Sequence, residues 1–123
     1  MTGFVLILAA LQLATPVRCY ETPAAWRAQL TAVQMPTVVA YYDPTGSPHI
    51  ALGPLVCRQV RTPTLDGANV LAHELAHAWQ HQTGGVFDER EADRVADRTA
   101  AGLLRRLERL FNRRAPAAVV LSP

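Results

Sequence analysis

Apolar positions along the chain change their spacing several times, and each change marks an element. Phe4 to Leu11 is an unbroken apolar run, extended weakly by Leu13 and Ala14. It is shorter than the roughly 20 residues that a spanning helix needs, so no stable membrane span is expected. The stretch 1–18 reads either as a signal peptide or as an apolar core helix. Trp26, Leu30 and Val33 then recur at helical spacing, with Thr22 as cap and Pro23 near the start, and Pro36 ends that helix. Thr37 to Tyr42, rich in β-branched and aromatic residues, predicts a strand. Asp43-Pro44-Thr45-Gly46-Ser47-Pro48 predicts a turn, and His49 to Leu52 a second strand closed by Gly53-Pro54. The two strands make an antiparallel hairpin. Prolines at both ends of the second place it at a sheet edge, where a missing backbone donor costs least.

Leu55 to Val60 fits either a short strand or a helical turn, and 61–64 is linker. A helix follows through Val70 to Gln82, with Asp66 or Asn69 as N-cap and Gly84-Gly85 as its stop. A last, long helix begins at Asp88. Its Ala92, Val95, Ala96, Ala100, Leu103, Leu107 and Leu110 fall on one side at about 100° per residue. Residues 115–123 read as a loose C-terminal tail. The sum is an α+β domain: a small antiparallel sheet with an edge strand, packed on the Val70–Gln82 helix and a long C-terminal helix.

Composition narrows this picture. A chain of 123 residues with 50% apolar content is one globular domain at most. The net charge of +2 hides an asymmetry, because charges concentrate in 88–114. There the signs alternate along a helix, which describes a solvated face, and no nucleic-acid partner is expected. Cys19 and Cys57 are the only cysteines. In an exported chain they pair as a disulfide; in a cytoplasmic one they are buried thiols. Their spacing matches no zinc-ribbon pattern.

The candidate chemistry lies in His73-Glu74-Leu75-Ala76-His77. Histidines four residues apart on a helix sit about 40° apart around its axis, one turn above the other, so both imidazoles reach one metal ion. Glu74 then lies beside the ion without ligating it, placed to take a proton from a metal-activated water and return it to a leaving group. Catalytic zinc sites use three protein ligands plus water. Glu89 lies at roughly +20° from Ala96, within the apolar face of the last helix, and a glutamate buried there needs compensation, which a metal ion supplies. Glu89 is therefore the expected third ligand. Asp93, one turn on, is placed to accept a hydrogen bond from the far nitrogen of a ligating histidine. Glu91 points to the arginine-rich side and is expected to reach back to Asp88 in a capping box. His81 lies too far along the axis to join His73 and His77 and reads as a polar helix-end residue. His49 and Tyr41 or Tyr42 are candidate oxyanion donors.

HELAHAWQH followed by DEREADRVAD resembles the gluzincin zinc metallopeptidases, in particular small bacterial proteins with a minimal version of that scaffold. The resemblance covers roughly Val38 to Arg98 and makes 19–114 a minimal zincin-like domain. It implies one Zn2+ on His73, His77 and Glu89, Glu74 as general base and acid, Asp93 as support, and peptide-bond hydrolysis. It also implies a peptide or protein substrate aligned on an edge strand, near His49–Leu52 in this chain. The interval from His77 to Glu89 leaves no room for an inserted subdomain, and no C-terminal lobe follows, so a protein partner could complete the cleft. Thr83 stands where a metzincin would have its third histidine. Two other readings stay open: a catalytically weak or inactive zinc-containing peptide-binding or sensor module of the same fold, and a metal-free helical domain with a satisfied histidine pair.

Overall fold

In the computed structural model, which describes residues 3–10, 13–112 and 119–122, the chain begins with two strands, β1 (Gly3–Ala10) and β2 (Leu13–Cys19). Helix α1 (Pro23–Ala32) follows, then β3 (Ala40–Asp43) and β4 (His49–Leu52). Three helices come next: α2 (Pro54–Arg61), α3 (Leu65–Gln82) and α4 (Glu89–Asn112). Strand β5 (Val119–Ser122) closes the chain. The class is α+β, with the expected hairpin and long C-terminal helix.

The strand order is β3-β4-β2-β1-β5. The β3–β4 hairpin is antiparallel, with Tyr42 opposite Ile50. Strand β2 runs parallel to β4, with Val17 opposite Ile50, so the sheet is mixed and not wholly antiparallel. Two expectations change with it. His49–Leu52 is an interior strand, paired on both sides, and β3 has the outer position on this side of the sheet. Pro48 and Pro54 fall just outside the strand, so neither removes a donor from its ladder. The apolar run at 4–10 is also strand and not helix, pairing with both β2 and β5. Residues 1, 2, 11 and 12 lie outside the described residues. Within the tail expected to be loose, 119–122 pair with β1, while 115–118 and 123 lie outside the described residues.

Alternation along the strands sends Val17, Cys19, Ile50 and Leu52 to one face of the sheet. There they pack with Val56 and Val60 of α2, Leu71 and Leu75 of α3, and Ala96, Leu103 and Leu107 of α4. The other face carries Tyr41 and Ala51, covered by Trp26 and Leu30 of α1. The Trp26 indole donates to the Val38 carbonyl at 2.9 Å, fixing the approach to β3. Thr22 caps α1 as expected, accepting from the Ala25 N–H at 3.1 Å. The ambiguous stretch 55–60 is helical: Pro54 occupies the first turn, and Val56, Cys57 and Val60 are buried on one side. A disulfide joins Cys19 at the end of β2 to Cys57 in α2, with Cα atoms 5.6 Å apart.

Helix α3 starts earlier than its apolar spacing suggests. Its N-cap is Thr64, whose hydroxyl accepts from the Gly67 N–H at 3.1 Å, in place of Asp66 or Asn69. Gly67 survives inside the helix because α2 passes close by: a Cβ there would lie 2.6 Å from the Gln59 carbonyl oxygen. At the far end Gly84 takes a φ of 77°, turning the chain out of α3 toward α4. Among the described residues no helix is long and apolar enough to cross a membrane.

Candidate metal centre

Helix α3 presents His73 and His77 one turn apart, and the short connection through Gly84 brings the first turn of α4 against them. His77 Nε2 lies 2.8 Å from Glu89 Oε1, His73 Nε2 lies 3.0 Å from Glu89 Oε2, and the two Nε2 atoms are 3.1 Å apart. His73, His77 and Glu89 form a group that could hold a metal ion. The helical phase of Glu89 is as expected, two turns before the buried Ala96. Its depth is not: the Glu89 side chain is 75% exposed. The buried stripe of α4 is occupied by Ala92, Ala96, Ala100, Leu103 and Leu107, and Glu89 precedes it at the open end of the helix pair.

Chemistry, not depth, makes this group fit a cation. His73 Nδ1 faces Asp93 Oδ1 at 2.9 Å, so the ring donates to a carboxylate there. His77 Nδ1 faces Gln80 Oε1 at 2.9 Å. The Gln80 amide cannot be turned over, because its Nε2 donates to the Asp88 carbonyl and to Glu91 Oε1, both at 2.9 Å, and its Oε1 also accepts from the Asp88 N–H at 3.2 Å. With both Nδ1 atoms donating outward, each neutral ring turns a bare Nε2 lone pair inward. Four acceptor atoms therefore converge, two imidazole nitrogens and two carboxylate oxygens. Protonating a ring supplies one donor; a divalent cation satisfies all of them together. The spacings are close to the roughly 3.3 Å between two ligands each about 2.0–2.1 Å from a tetrahedral zinc.

Asp93 thus stands where a supporting carboxylate was expected. Gln80 is the supporting residue that the motif alone does not point to, although its position one turn from His77 is the signal that could find it. Its bond to Glu91 also displaces the expected capping box. Asp88 still caps α4, accepting from the Arg90 and Glu91 N–H groups at 2.9 and 3.1 Å, but the Glu91 side chain turns to Gln80.

Glu74 lies beside the cluster, in a groove of about 450 Å³ that it shares with His73, His77 and Glu89. Burial pushes its carboxyl up to about 7 and the Glu89 charge pushes the same way, against His77 and a hydrogen bond from the Tyr42 N–H. Tyr41 and Tyr42 also line the groove, whereas His49 does not. His49 bonds to the Ser47 carbonyl at 3.1 Å. The Tyr42 hydroxyl is 2.9 Å from His81 Nδ1, which leaves His81 outside the metal cluster, as its axial distance requires. Phe87, from the loop before α4, completes the groove, its ring edge-on to His77 at 5.5 Å.

No protein-family model matches the chain, and no curated protein or solved structure matches it either.

Proposed function

We propose that the chain is a zinc-dependent peptidase in which His73, His77 and Glu89 hold one zinc ion and Glu74 moves the proton. The observation that carries this reading is the convergence of four acceptor atoms with a non-ligating carboxyl beside them in one groove. Bound zinc would supply Lewis acidity, making a water acidic near neutral pH and polarising the scissile carbonyl.

The chain's own residues do the rest. Asp93 and Gln80 hold the Nδ1 protons of the two histidines, which fixes tautomer and ring orientation. The Tyr42 N–H orients Glu74, whose carboxyl lies beside the proposed ligands, placed to accept a proton from water and pass it to the departing amine. Because that N–H belongs to β3, the general base sits beside the strand that has the outer position on that side of the sheet. An extended peptide laid along β3 would bring its carbonyl past Glu74.

Glu74→Gln is expected to keep zinc and lower peptide hydrolysis by at least about a hundredfold. Metal analysis and a peptide-library cleavage assay, each with and without chelator, check both halves. Undiminished cleavage by the variant would remove Glu74 from the mechanism. Zinc binding without cleavage by the parent would leave a zinc-containing peptide-binding module of the same fold, and no zinc after reconstitution would leave a metal-free domain.

A further inference from the structure

The groove beside the metal cluster has a composition that chooses among polypeptides. Apart from the residues already assigned, its walls are Met35, Val38, Ala40, Tyr41, Tyr42, Pro44 and Phe87. Among the described residues no arginine lines it, and the carboxyls within it, Glu74 and Glu89, are committed to the chemistry. An acidic side chain entering there would meet two carboxyls and no cationic side chain among the described residues. A basic one would surrender its hydration to aromatic and aliphatic walls.

The exposed apolar surface points the same way. Among the described residues, the exposed large hydrophobics are Met35, Val39, Leu55, Leu65, Val86 and Phe87, and four of these flank the groove or the outer strand. Met35 and Phe87 line the groove; Val39 directly precedes β3 and Val86 directly precedes Phe87. Phe87 is half exposed, yet its ring is held in place. It stacks on His81 with planes 3° apart and centroids 6.3 Å apart, meets His77 edge-on, and lies 6.3 Å from the Tyr42 ring. An aromatic ring fixed in position with an open face at a groove mouth offers area to a ligand at little further cost in order.

We infer that this groove takes a bulky apolar side chain, aliphatic or aromatic, of an extended polypeptide, with Phe87 and Met35 as the residues that set the preference. This rests on the peptidase reading and names the substrate class for it: polypeptide segments rich in large apolar residues and poor in acidic ones.

The test uses the zinc-loaded full-length Glu74→Gln protein and end-blocked, fluorescein-labelled hexapeptides of glycine and alanine. Each carries Leu, Phe, Lys or Glu at one inner position. The Leu and Phe peptides are expected to bind about tenfold or more tighter than the Glu peptide. Adding Phe87→Ala or Met35→Ser should each cut that ratio by roughly threefold or more with zinc content unchanged. Should Phe87→Ala lose zinc through its contact with His77, Met35→Ser decides. Equal binding of all four peptides, tightest binding of the Lys or Glu peptide, or no binding of any of them would overturn the inference. Cleavage of the same peptides by the parent separates the two readings. Equal cleavage of all four keeps the peptidase and removes the preference, while preferential binding without cleavage keeps the preference and removes the peptidase.

Discussion

One amide, that of Gln80, holds His77 Nδ1, both backbone groups of Asp88 and the Glu91 carboxylate. Because Asp88 immediately precedes Glu89, the same side chain orients one proposed ligand and places the start of the helix that carries another. Gln80→Leu is nearly isosteric but breaks every one of these bonds. It is expected to weaken zinc binding by about 10–100-fold, measured by competition with a metal-sensitive dye; unchanged affinity would reduce Gln80 to a packing residue. Glu74 offers a second test. Its folded value of about 7 lies above its ordinary 4.5, so the protonated form is favoured on folding. Its contribution to stability is complete below about pH 4.5 and is lost as pH rises through 7, by at most about 3 kcal/mol in the metal-free protein. The melting temperature of metal-free Glu74→Gln should therefore fall less between pH 5 and 8 than that of the parent. Parallel curves would mean that Glu74 is more solvated than its place in the groove implies.

At the scale of elements, the sequence carries angles well and depths poorly. Helical periodicity places Glu89 on the side of α4 that faces α3, because azimuth follows from residue number alone. It cannot say where along α4 the neighbouring helix ends, and Glu89 lies at that open end, 75% exposed. The β3–β4 hairpin is legible from composition and turn residues. The interior position of β4 is not, since it depends on a parallel pairing with β2, whose partner residues lie some 30 positions away. Thr64 as the cap is not legible from apolar spacing, because the turn it opens carries Gly67, whose place in the helix depends on the close approach of α2. The Cys19–Cys57 link joins two of these distant elements, closing a sequence separation of 38. Replacing both cysteines by serine is expected to cost about 3–4 kcal/mol in a chain-entropy account. It should lower the melting temperature without changing zinc stoichiometry, because neither sulfur touches the metal group. A melting temperature unaffected by the change would show that packing alone holds β2 on α2.

For the whole molecule, a bound metal would be linked to the fold by mass action. Zinc at about a thousand times its dissociation constant would add about 4 kcal/mol to stability. In a chain of this length that raises the melting temperature by roughly 10 °C or more. Calorimetry with zinc and with chelator measures the difference, and Glu89→Ala should largely abolish it. A zinc-induced rise of equal size in Glu89→Ala would assign the stabilisation to a different ligand set.

The proposed ligands all lie within residues 73–89, on two helices joined by one short turn. Bringing them together closes a small loop and needs neither the sheet nor either terminus, so the entropic cost of assembling the centre is modest. A refolding chain would be able to close this helical hairpin around a zinc ion whatever the order in which the β-strands pair. The ion would then act as a clamp on folding as well as the agent of chemistry.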